Sequence, residues 1–383
     1  MEENNNGTPT KKNGKGLVIV LAIVIIALLA GAAYYFLRPT ATPKDVFVGG
    51  IEKVFESSTK KLGEDIKKIN TTVSLSGNIE SSNEEISKIA QYINQGKLTY
   101  NVQMDTEAKK MLVNVGVDYQ NENILNGKVY YASGDENIYV YVQDLFDKYF
   151  KVNAKEAAGS EEGLASIDSI FNGEMSTANG KVDTKKVANI IKESLKKNLK
   201  DEYFTKETVD GLTKNTMKLT VGEIKTIAKS IITDLKDNQE FIACFEKQDE
   251  VKQGLEDVLK EFDDFKNTYD SNPFEVSIYT KGPKFDIEKV DAKIELPESK
   301  TLSMTLAEIE KEKYELNADV PDFGKVKLNI EVKEEAATEI ENVNTADSVD
   351  VNNMTQADQM KLIGNLMNMK LYQYLAPLMQ SGF

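Results

Sequence analysis

Histidine and tryptophan are absent from this chain of 383 residues, and cysteine and arginine each occur only once. Without histidine the chain cannot build a Ser-His-Asp or Cys-His catalytic site, and it lacks the commonest metal ligand of proteins. Arg38 is the single arginine among 47 basic residues, which excludes bidentate guanidinium clamps elsewhere in the chain. The net charge of −15 excludes nucleic acid as a partner, because phosphate binding needs clustered cations.

Sequence motifs of known enzyme classes are also missing. There is no P-loop, no G-x-G-x-x-G segment that opens a helix, no G-x-S-x-G elbow and no calcium-loop spacing. Ser57, Ser58 and Ser194 each begin an S-x-x-K match, but the S-D-N and K-T-G elements of the penicillin-recognising enzymes do not occur. We therefore predict no enzyme activity, no cofactor and no metal site. An unrecognised carboxylate pair, of the kind seen at Asp263-Asp264, is the enzymatic alternative.

The single cysteine, Cys244, lies in the apolar stretch FIACF, so no internal disulfide can form. No histidine is present to activate its thiol, and we predict a buried, unreactive core residue. The composition, with 40% hydrophobic and 28% charged residues, is typical of a globular body that folds by core packing.

The longest apolar run of the chain is Leu17–Leu37, which contains no charge. As a helix it is about 31 Å long, which matches the hydrocarbon core of a bilayer. Three lysines precede it (Lys11, Lys12 and Lys15), so we predict a single-pass anchor in the cell membrane with a cytoplasmic N-terminus. The alternatives are a signal peptide cleaved after Ala32, and the opposite orientation. We favour the retained anchor because the run continues beyond Ala32 through an aromatic YYF edge, and because alanine replaces the cysteine of a lipobox.

The chain after the anchor changes its hydrophobic period twice. Apolar residues alternate with a period of two over 70–150, recur at helical spacing over 181–268, and alternate again over 273–333. This order predicts an α+β fold, with helices packed on one face of a large antiparallel β-sheet. The predicted segments are a cytoplasmic polar tail (1–16), the transmembrane anchor (17–37), an extracytoplasmic domain (42–333), an acidic linker (334–353) and a Met-rich amphipathic helix (354–383).

One face of the predicted sheet is apolar and rich in valine, methionine and tyrosine. At each single position the ordinary interpretation is a core residue packed under helices. A wide, twisted antiparallel sheet with helices on one side can instead leave a concave apolar cavity, and such cavities bind lipids and other hydrophobic ligands. The candidate ligand-binding residues are Leu98, Tyr100, Val102, Met104, Met111, Val113, Val115, Tyr131, Val140 and Met304.

Two further segments follow the second run of strands. The stretch 334–353 contains six acidic residues and neither lysine nor arginine, which predicts a disordered linker. A last helix is predicted for 354–383, with Thr355 as its N-cap and five of the chain's eleven methionines along it. This helix either packs on the domain, or covers a groove or docks a protein partner as a mobile element.

The segment NGKVYYASGDENIYVYVQDLFDKYF (Asn126–Phe150), placed between an anchor with a helix and a later helical region, resembles uncharacterised membrane-anchored surface proteins of clostridia and related Gram-positive bacteria. More remotely, the order of elements over Thr42–Val332 is similar to the lipoprotein-carrier superfamily of the LolA and LppX type. That similarity implies a half-barrel-like sheet with helices as a lid, which holds acyl chains in its cavity. The carriers' cavity arginine has no counterpart, because Arg38 lies at the membrane edge. A fixed anchor also differs from a shuttling carrier.

Two functional hypotheses of different classes follow from these observations. The first is a membrane-anchored extracytoplasmic binding protein that holds a hydrophobic or lipid ligand in a concave β-sheet. The alternative is a structural or signalling interaction module of the cell envelope, with a filled core, no small-molecule ligand and a protein partner docked through the C-terminal helix.

Overall fold

The computed structural model describes the chain from residue 42 to residue 380 with several gaps. The described residues are 42–48, 68–159, 168, 171, 176–177, 180–181, 184–245, 247–264, 270–281, 286–340 and 342–380. The predicted anchor Leu17–Leu37 lies outside them, and residues 43–48 form a short helical segment. None of the helices within these ranges is both long enough and apolar enough to cross a bilayer.

The described residues contain two β-sheets. Their strands are β1 (Lys68–Glu80), β2 (Gly96–Asp105), β3 (Lys110–Tyr119), β4 (Glu122–Ala132), β5 (Asn137–Val142), β6 (Phe150–Asn153), β7 (Ser176–Thr177), β8 (Gly180–Lys181), β9 (Phe204–Val209), β10 (Leu212–Thr220), β11 (Pro273–Lys281), β12 (Asp286–Glu295), β13 (Thr301–Glu310), β14 (Lys313–Val320), β15 (Gly324–Glu334) and β16 (Val349–Asp350). Fourteen of them form one open sheet in the order β16-β6-β5-β4-β3-β2-β1-β15-β14-β13-β12-β11-β10-β9, while β7 pairs with β8. Neighbours in the large sheet are antiparallel except β16 and β6. The predicted α+β class and large antiparallel sheet are therefore confirmed.

The centre of the large sheet joins the first and last long strands of the chain. Strand β1 pairs with β2 on one side and with β15 on the other, so that Val73 lies opposite both Tyr100 and Val332. From this seam the strands run outward in chain order to β6 on one side, and in reverse chain order to β9 on the other. Tight turns with positive φ, such as Asp210-Gly211 (φ of 50° and 80°), connect neighbouring strands because such turns match the sheet's twist.

Besides the helical segment 43–48, eight α-helices accompany these strands in the described ranges. They are α1 (Glu84–Ile93), α2 (Ala154–Ala157), α3 (Thr184–Asn198), α4 (Val221–Asp237), α5 (Gln239–Ile242), α6 (Gln248–Asp264), α7 (Gln356–Asn368) and α8 (Lys370–Gln380). The segment 354–383, predicted as a Met-rich amphipathic helix, contains two helices in its described part, α7 and α8. Met369 has a φ of −63° and a ψ of 137°, an extended conformation that ends α7 before α8 begins.

Period-two alternation gives the large sheet one apolar and one polar face. The apolar face carries the odd-numbered residues of β1, such as Val73 and Leu75, together with the residues paired to them across the sheet. The polar face carries the even-numbered residues of β1, such as Asn70 and Thr72, and their partners. The two faces therefore present different chemistry on the same strands.

Helices α3 and α4 cover the apolar face over β10, β11 and β12. Ile191 and Leu195 of α3, with Ile224 and Ile227 of α4, pack against strand residues there, and the helical segment 43–48 joins them. The buried strand residues are Met217, Leu219, Phe274, Val276, Ile278, Val290, Ala292 and Ile294. This cluster is the largest group of buried apolar residues that the described ranges contain.

A second cluster lies among the helices and contains the single cysteine. Cys244 is 7% exposed and is packed with Phe241, Ile242 and Leu235. Its Sγ donates a hydrogen bond to the carbonyl oxygen of Glu240 at 3.1 Å. The predicted burial of this thiol is confirmed.

The acidic linker crosses the polar face as an ordered strip, which corrects the prediction that it is disordered. The Nδ2 of Asn70 donates to the Ala336 carbonyl oxygen at 3.0 Å, and the Thr338 hydroxyl contacts Gln103 at 3.4 Å. Ile340 is 3% exposed because it packs on tyrosines of β4 and β5. A high density of acids did not prevent order, because Ile340 and Val343 pack on the sheet and hydrogen bonds to Asn70 and Gln103 hold the strip beside it.

Candidate functional site

All ten candidate residues lie on the apolar face, but nine of them form one group. Their register across β2, β3 and β4 gives the rows Met104–Met111–Tyr131, Val102–Val113–Val129, Tyr100–Val115–Gly127 and Leu98–Val117–Leu125. Val140 continues the second row onto β5 by pairing with Val129. We call the apolar-face residues of β1 to β5 the apolar floor.

Met304 is separate from the other nine candidates. Strands β14, β15 and β1 lie between its strand, β13, and β2. Met304 packs instead against the buried cluster beneath α3 and α4. It is therefore a border residue between that core and the exposed part of the face.

One end of the apolar floor is closed by side chains. Tyr131 is 1% exposed and Met104 is 7% exposed, in a cluster with Ala154 and Phe171. The Tyr131 hydroxyl donates to Oδ1 of Asp168 at 2.8 Å. Burial, and then the Asp168 carboxylate, raise the pKa of Tyr131, so this hydroxyl remains a neutral donor.

Two helices bound the opposite end of the apolar floor. The ring of Tyr119 lies with its centroid 6.0 Å from that of Tyr92 in α1 and 4.6 Å from that of Tyr374 in α8. The side chain of Asn94 fixes α1 in this position, because it donates to the Ile79 carbonyl at 3.0 Å and accepts from the Ile79 amide at 2.6 Å. The two ends of the floor are thus built from aromatic rings.

Between these ends the apolar floor is half-exposed. Tyr100, Val102, Val113 and Val115 are all intermediate in burial, and Leu98 is 38% exposed. Two isoleucines of α1, at positions 89 and 93, are 41% and 42% exposed beside it. An apolar surface of this extent on a folded domain usually marks a binding site.

The same exposed surface continues from β1 across the seam onto β15 and β14, where no candidate was predicted. The residues concerned are half-buried: Leu328 and Ile330 of β15, and Leu316 of β14. Their alternation is visible in the sequence as a period of two. What the sequence does not reveal is that β1 pairs with β15, which brings these residues beside the nine grouped candidates.

The Ser194 S-x-x-K match lies in a cleft of about 570 Å³ between α3 and α4. The Ser194 hydroxyl donates to Oδ2 of Asp234 at 3.1 Å, and Nζ of Lys197 lies 2.7 Å from Oδ1 of the same carboxylate. Asn198 donates to Asp234 at 3.1 Å. An ammonium paired with a carboxylate cannot take a proton from serine, so this geometry supports a link between two helices and not a catalytic dyad.

We expect the Asp234 link to stabilise the domain in a pH-dependent way. The Lys197 ammonium, and then the Asn198 and Ser194 donors, hold the pKa of Asp234 below its ordinary value of 3.8. A lowered pKa means that the link stabilises the folded chain above about pH 4 and that this contribution is lost as the pH falls through the folded-state pKa. Asp234→Asn should cost about 1 kcal/mol at pH 7, because Lys197 is largely exposed and solvent weakens the pair.

Urea unfolding at pH 7 and pH 3 measures this effect. Glu261→Gln, on the exposed surface of α6, is the control and should leave the free energy of unfolding unchanged at both pH values. Equal stability of Asp234→Asn and the unmodified chain at pH 7 would contradict the prediction.

The described fold thus belongs to the class of α+β proteins in which an open antiparallel sheet carries a partly covered apolar face. No protein-family model matches the chain, and no curated protein matches it.

Proposed function

We propose that this chain is a single-pass membrane protein whose extracytoplasmic domain binds a hydrophobic or lipid ligand on the apolar face of its sheet. The observation that carries the proposal is the half-exposed apolar floor, closed by Tyr131 and Phe171 at one end and flanked by Tyr119 at the other. A ligand that covers this floor would remove apolar surface from water, at about 25 cal/mol for each Å².

The chemistry of the apolar floor favours an alkyl or acyl chain. Apart from Thr71, the residues of its rows are aliphatic, aromatic, methionine or glycine, so they offer dispersion contacts and few hydrogen bonds. Gly77 lies eight positions after Ile69 along β1, which corresponds to about 26 Å of strand. A ligand with a long apolar chain and a polar end fits a surface that is apolar along this length and open to solvent between its ends.

A half-barrel-like curvature belongs to the same proposal. Adjacent antiparallel strands twist by about 20 to 25° relative to each other, so a sheet of fourteen strands tends to curl. The order of a meander, helices and a second meander is also the order on which the similarity to the LolA and LppX type rests. The predicted anchor would hold such a domain within reach of its own membrane, where lipid ligands are available.

We expect a diazirine-bearing palmitic acid to label the apolar floor when membranes that contain the full chain are irradiated. Mass spectrometry of the labelled peptides should find the probe on β2, β3 and β4, with competition by unlabelled palmitic acid. Val113→Asp should reduce this labelling by at least about tenfold, because a buried carboxylate beside an alkyl chain costs more than 1.4 kcal/mol.

Asn114→Asp is the matched control for this experiment. It adds the same charge to the same strand, but position 114 lies on the polar face, so labelling should persist. Val117→Asn is a second floor variant with a smaller effect on folding, and circular dichroism of each variant verifies the fold. Labelling confined to Leu17–Leu37, or equal loss in the control, would contradict ligand binding on the floor.

In that outcome the second candidate function, an envelope interaction module, would gain support. The specific observation that favours it is the exposed apolar stripe of α7, where Met360, Ile363 and Met367 are 68%, 53% and 57% exposed. Residues at this spacing share one face of a helix, as in helices that dock into a partner's groove.

A further inference from the structure

The polar face of the sheet contains a groove that none of the preceding functions uses. The acidic linker follows one row of residues across this face, which runs from Asn70 through Gln103 to the tyrosines of β4 and β5. The next row on the same face is polar along its whole length: Thr72, Asn101, Asn114, Lys128 and Tyr141. The row after it is formed by Ser74, Thr99, Gly116 and Asn126.

These two rows enclose a concave space of about 500 Å³ over β2 to β5. Gly116 lies at its base, where the absence of a side chain leaves room beside the amides of Asn123 and Asn126. Asn101, Gln143 and the ring of Tyr141 also line this groove. The volume is within the range of small-molecule sites in proteins.

The amide side chains of the groove are held in place by one another. Nδ2 of Asn114 donates to Oδ1 of Asn101 at 3.1 Å, and Nδ2 of Asn126 donates to Oε1 of Gln143 at 3.1 Å. An amide has two N–H donors and two acceptor lone pairs. Asn101 uses all of them, because beyond the bond from Asn114 it donates to Asn70 and Thr72 and accepts from Gln103. Asn114, Asn126 and Gln143 keep donor or acceptor capacity, so they present fixed polar groups that a ligand would not have to order.

We propose that this groove binds a neutral carbohydrate. Each sugar hydroxyl both donates and accepts a hydrogen bond, which is the combination that a set of amide side chains offers. The groove carries one carboxylate, Asp118, and one ammonium, Lys128, so its formal charge is balanced and favours neither an anion nor a cation. The Tyr141 ring, packed 5.5 Å from Tyr149 between centroids, supplies an apolar surface for the C–H side of a sugar ring.

This site is independent of the proposed ligand site on the apolar floor. Asn114 and Val113 are neighbours in β3, but their side chains lie on opposite faces of the sheet. A substitution on one face can therefore remove one activity and leave the other. The two proposals can fail separately.

Binding is tested with the full chain in phospholipid nanodiscs and four tetrasaccharide probes: cellotetraose, maltotetraose, chitotetraose and mannotetraose. Saturation-transfer NMR and isothermal titration calorimetry should detect at least one of them. Gly116→Val should weaken that binding by about tenfold or more, because the valine side chain would fill the base of the groove. The backbone allows this change, since a Cβ at Gly116 would meet its nearest neighbour, Oδ1 of Asn126, at an ordinary 3.5 Å.

A control variant separates the groove from the rest of the sheet. Asn329→Ala, on the polar face of β15, should keep the affinity of the unmodified chain. Asn114→Ala is a second groove variant that removes an amide without adding bulk. Loss of binding by both groove variants supports the proposal.

Any of the following results would overturn it: no binding to any of the four neutral sugar probes, unchanged affinity in folded Gly116→Val and Asn114→Ala, or stronger binding of the charged control probe tetragalacturonate than of every neutral one. A second control probe, the peptide tetraalanine, tests whether the amides recognise peptide backbone instead. Tighter binding of that peptide than of the sugars would also reject the carbohydrate assignment.

Discussion

Replacing Gly324 by alanine is expected to destabilise the domain by more than about 3 kcal/mol. Gly324 is the first residue of β15 and has a φ of 124°, a backbone conformation that glycine adopts and other residues rarely do. A Cβ at this position would overlap the carbonyl oxygen of Glu80 and would lie 2.9 Å from the Cα of Ser81. Both neighbours are backbone atoms at the end of β1, so relief requires movement of the strand itself.

The position of Gly324 makes this movement costly for the whole sheet. Glu80 pairs with Lys325 in the last step of the β1–β15 ladder, and the Ser81 hydroxyl donates to the Phe323 carbonyl beside it. This ladder is the junction between the two halves of the fourteen-stranded sheet. Displacement at Gly324 therefore weakens the contact that joins the halves.

Gly211→Ala is the matched control for Gly324→Ala. Gly211 also has a positive φ, 80°, but no atom lies within 4 Å of a Cβ built there. Its replacement should cost about 1 kcal/mol, the ordinary penalty of a left-handed alanine. Urea unfolding followed by circular dichroism gives the free energy of unfolding of each variant. Similar losses in Gly324→Ala and Gly211→Ala would show that the backbone of Glu80 and Ser81 can accommodate a Cβ at position 324.

Replacing Asn215 by leucine is expected to raise the free energy of unfolding by about 1 to 3 kcal/mol. Asn215 is 0% exposed on the apolar face of β10, opposite Ile278. Neither its Oδ1 nor its Nδ2 has a hydrogen-bond partner in the described part of the chain. An amide buried in this way has lost its hydration without replacement, whereas leucine of similar size would add apolar contacts.

The adjacent residue, Thr216, supplies a control whose replacement should lower the free energy of unfolding. Thr216 is 2% exposed on the polar side of β10, and its hydroxyl lies 2.9 Å from that of Ser277. Thr216→Val should cost about 1 to 2 kcal/mol, since it leaves the buried Ser277 hydroxyl without this bond. A loss of stability in Asn215→Leu as large as that in Thr216→Val would indicate that the amide is satisfied by a partner outside the described residues.

Much of the local structure could be predicted from the sequence because local chemistry determines it. The box formed by Thr220 and Glu223 starts α4, with the Thr220 hydroxyl and the Glu223 carboxylate bonded reciprocally to the backbone. Thr355 caps α7 in the same way by accepting from the Asp358 amide. The alternation in β2 and β3 likewise predicts which side chains share a face.

The arrangement of the sheet could not be predicted in the same way. The pairing of β1 with β15 depends on contacts between distant parts of the chain, and several registers would satisfy an apolar alternation. The end of α7 at Met369 carries no proline or glycine signal. The order of the linker depends on contacts with distant strands, such as the packing of Ile340 against tyrosines of β4 and β5.

The candidate site shows the same division between local and distant information. Alternation in β2 to β5 groups nine candidates on one face, but the same alternation in β13 also selects Met304, which only the strand order separates from them. The groove on the polar face has no sequence motif at all. Its amides are brought together because Asn101, Asn114 and Asn126 occupy successive strands in a register that the hairpins determine.

The seam between β1 and β15 also determines when the sheet can be completed. Thr72 and Glu335, which are bonded across it, lie 263 residues apart in the chain. At synthesis rates of about 5 to 20 residues per second, β1 waits roughly 13 to 50 s for its second neighbour. During that interval β1 is an edge strand with unpaired backbone groups, open to the wrong partner. The period of greatest risk for this domain thus falls during its synthesis, and it ends when the last long strand closes the centre of the sheet.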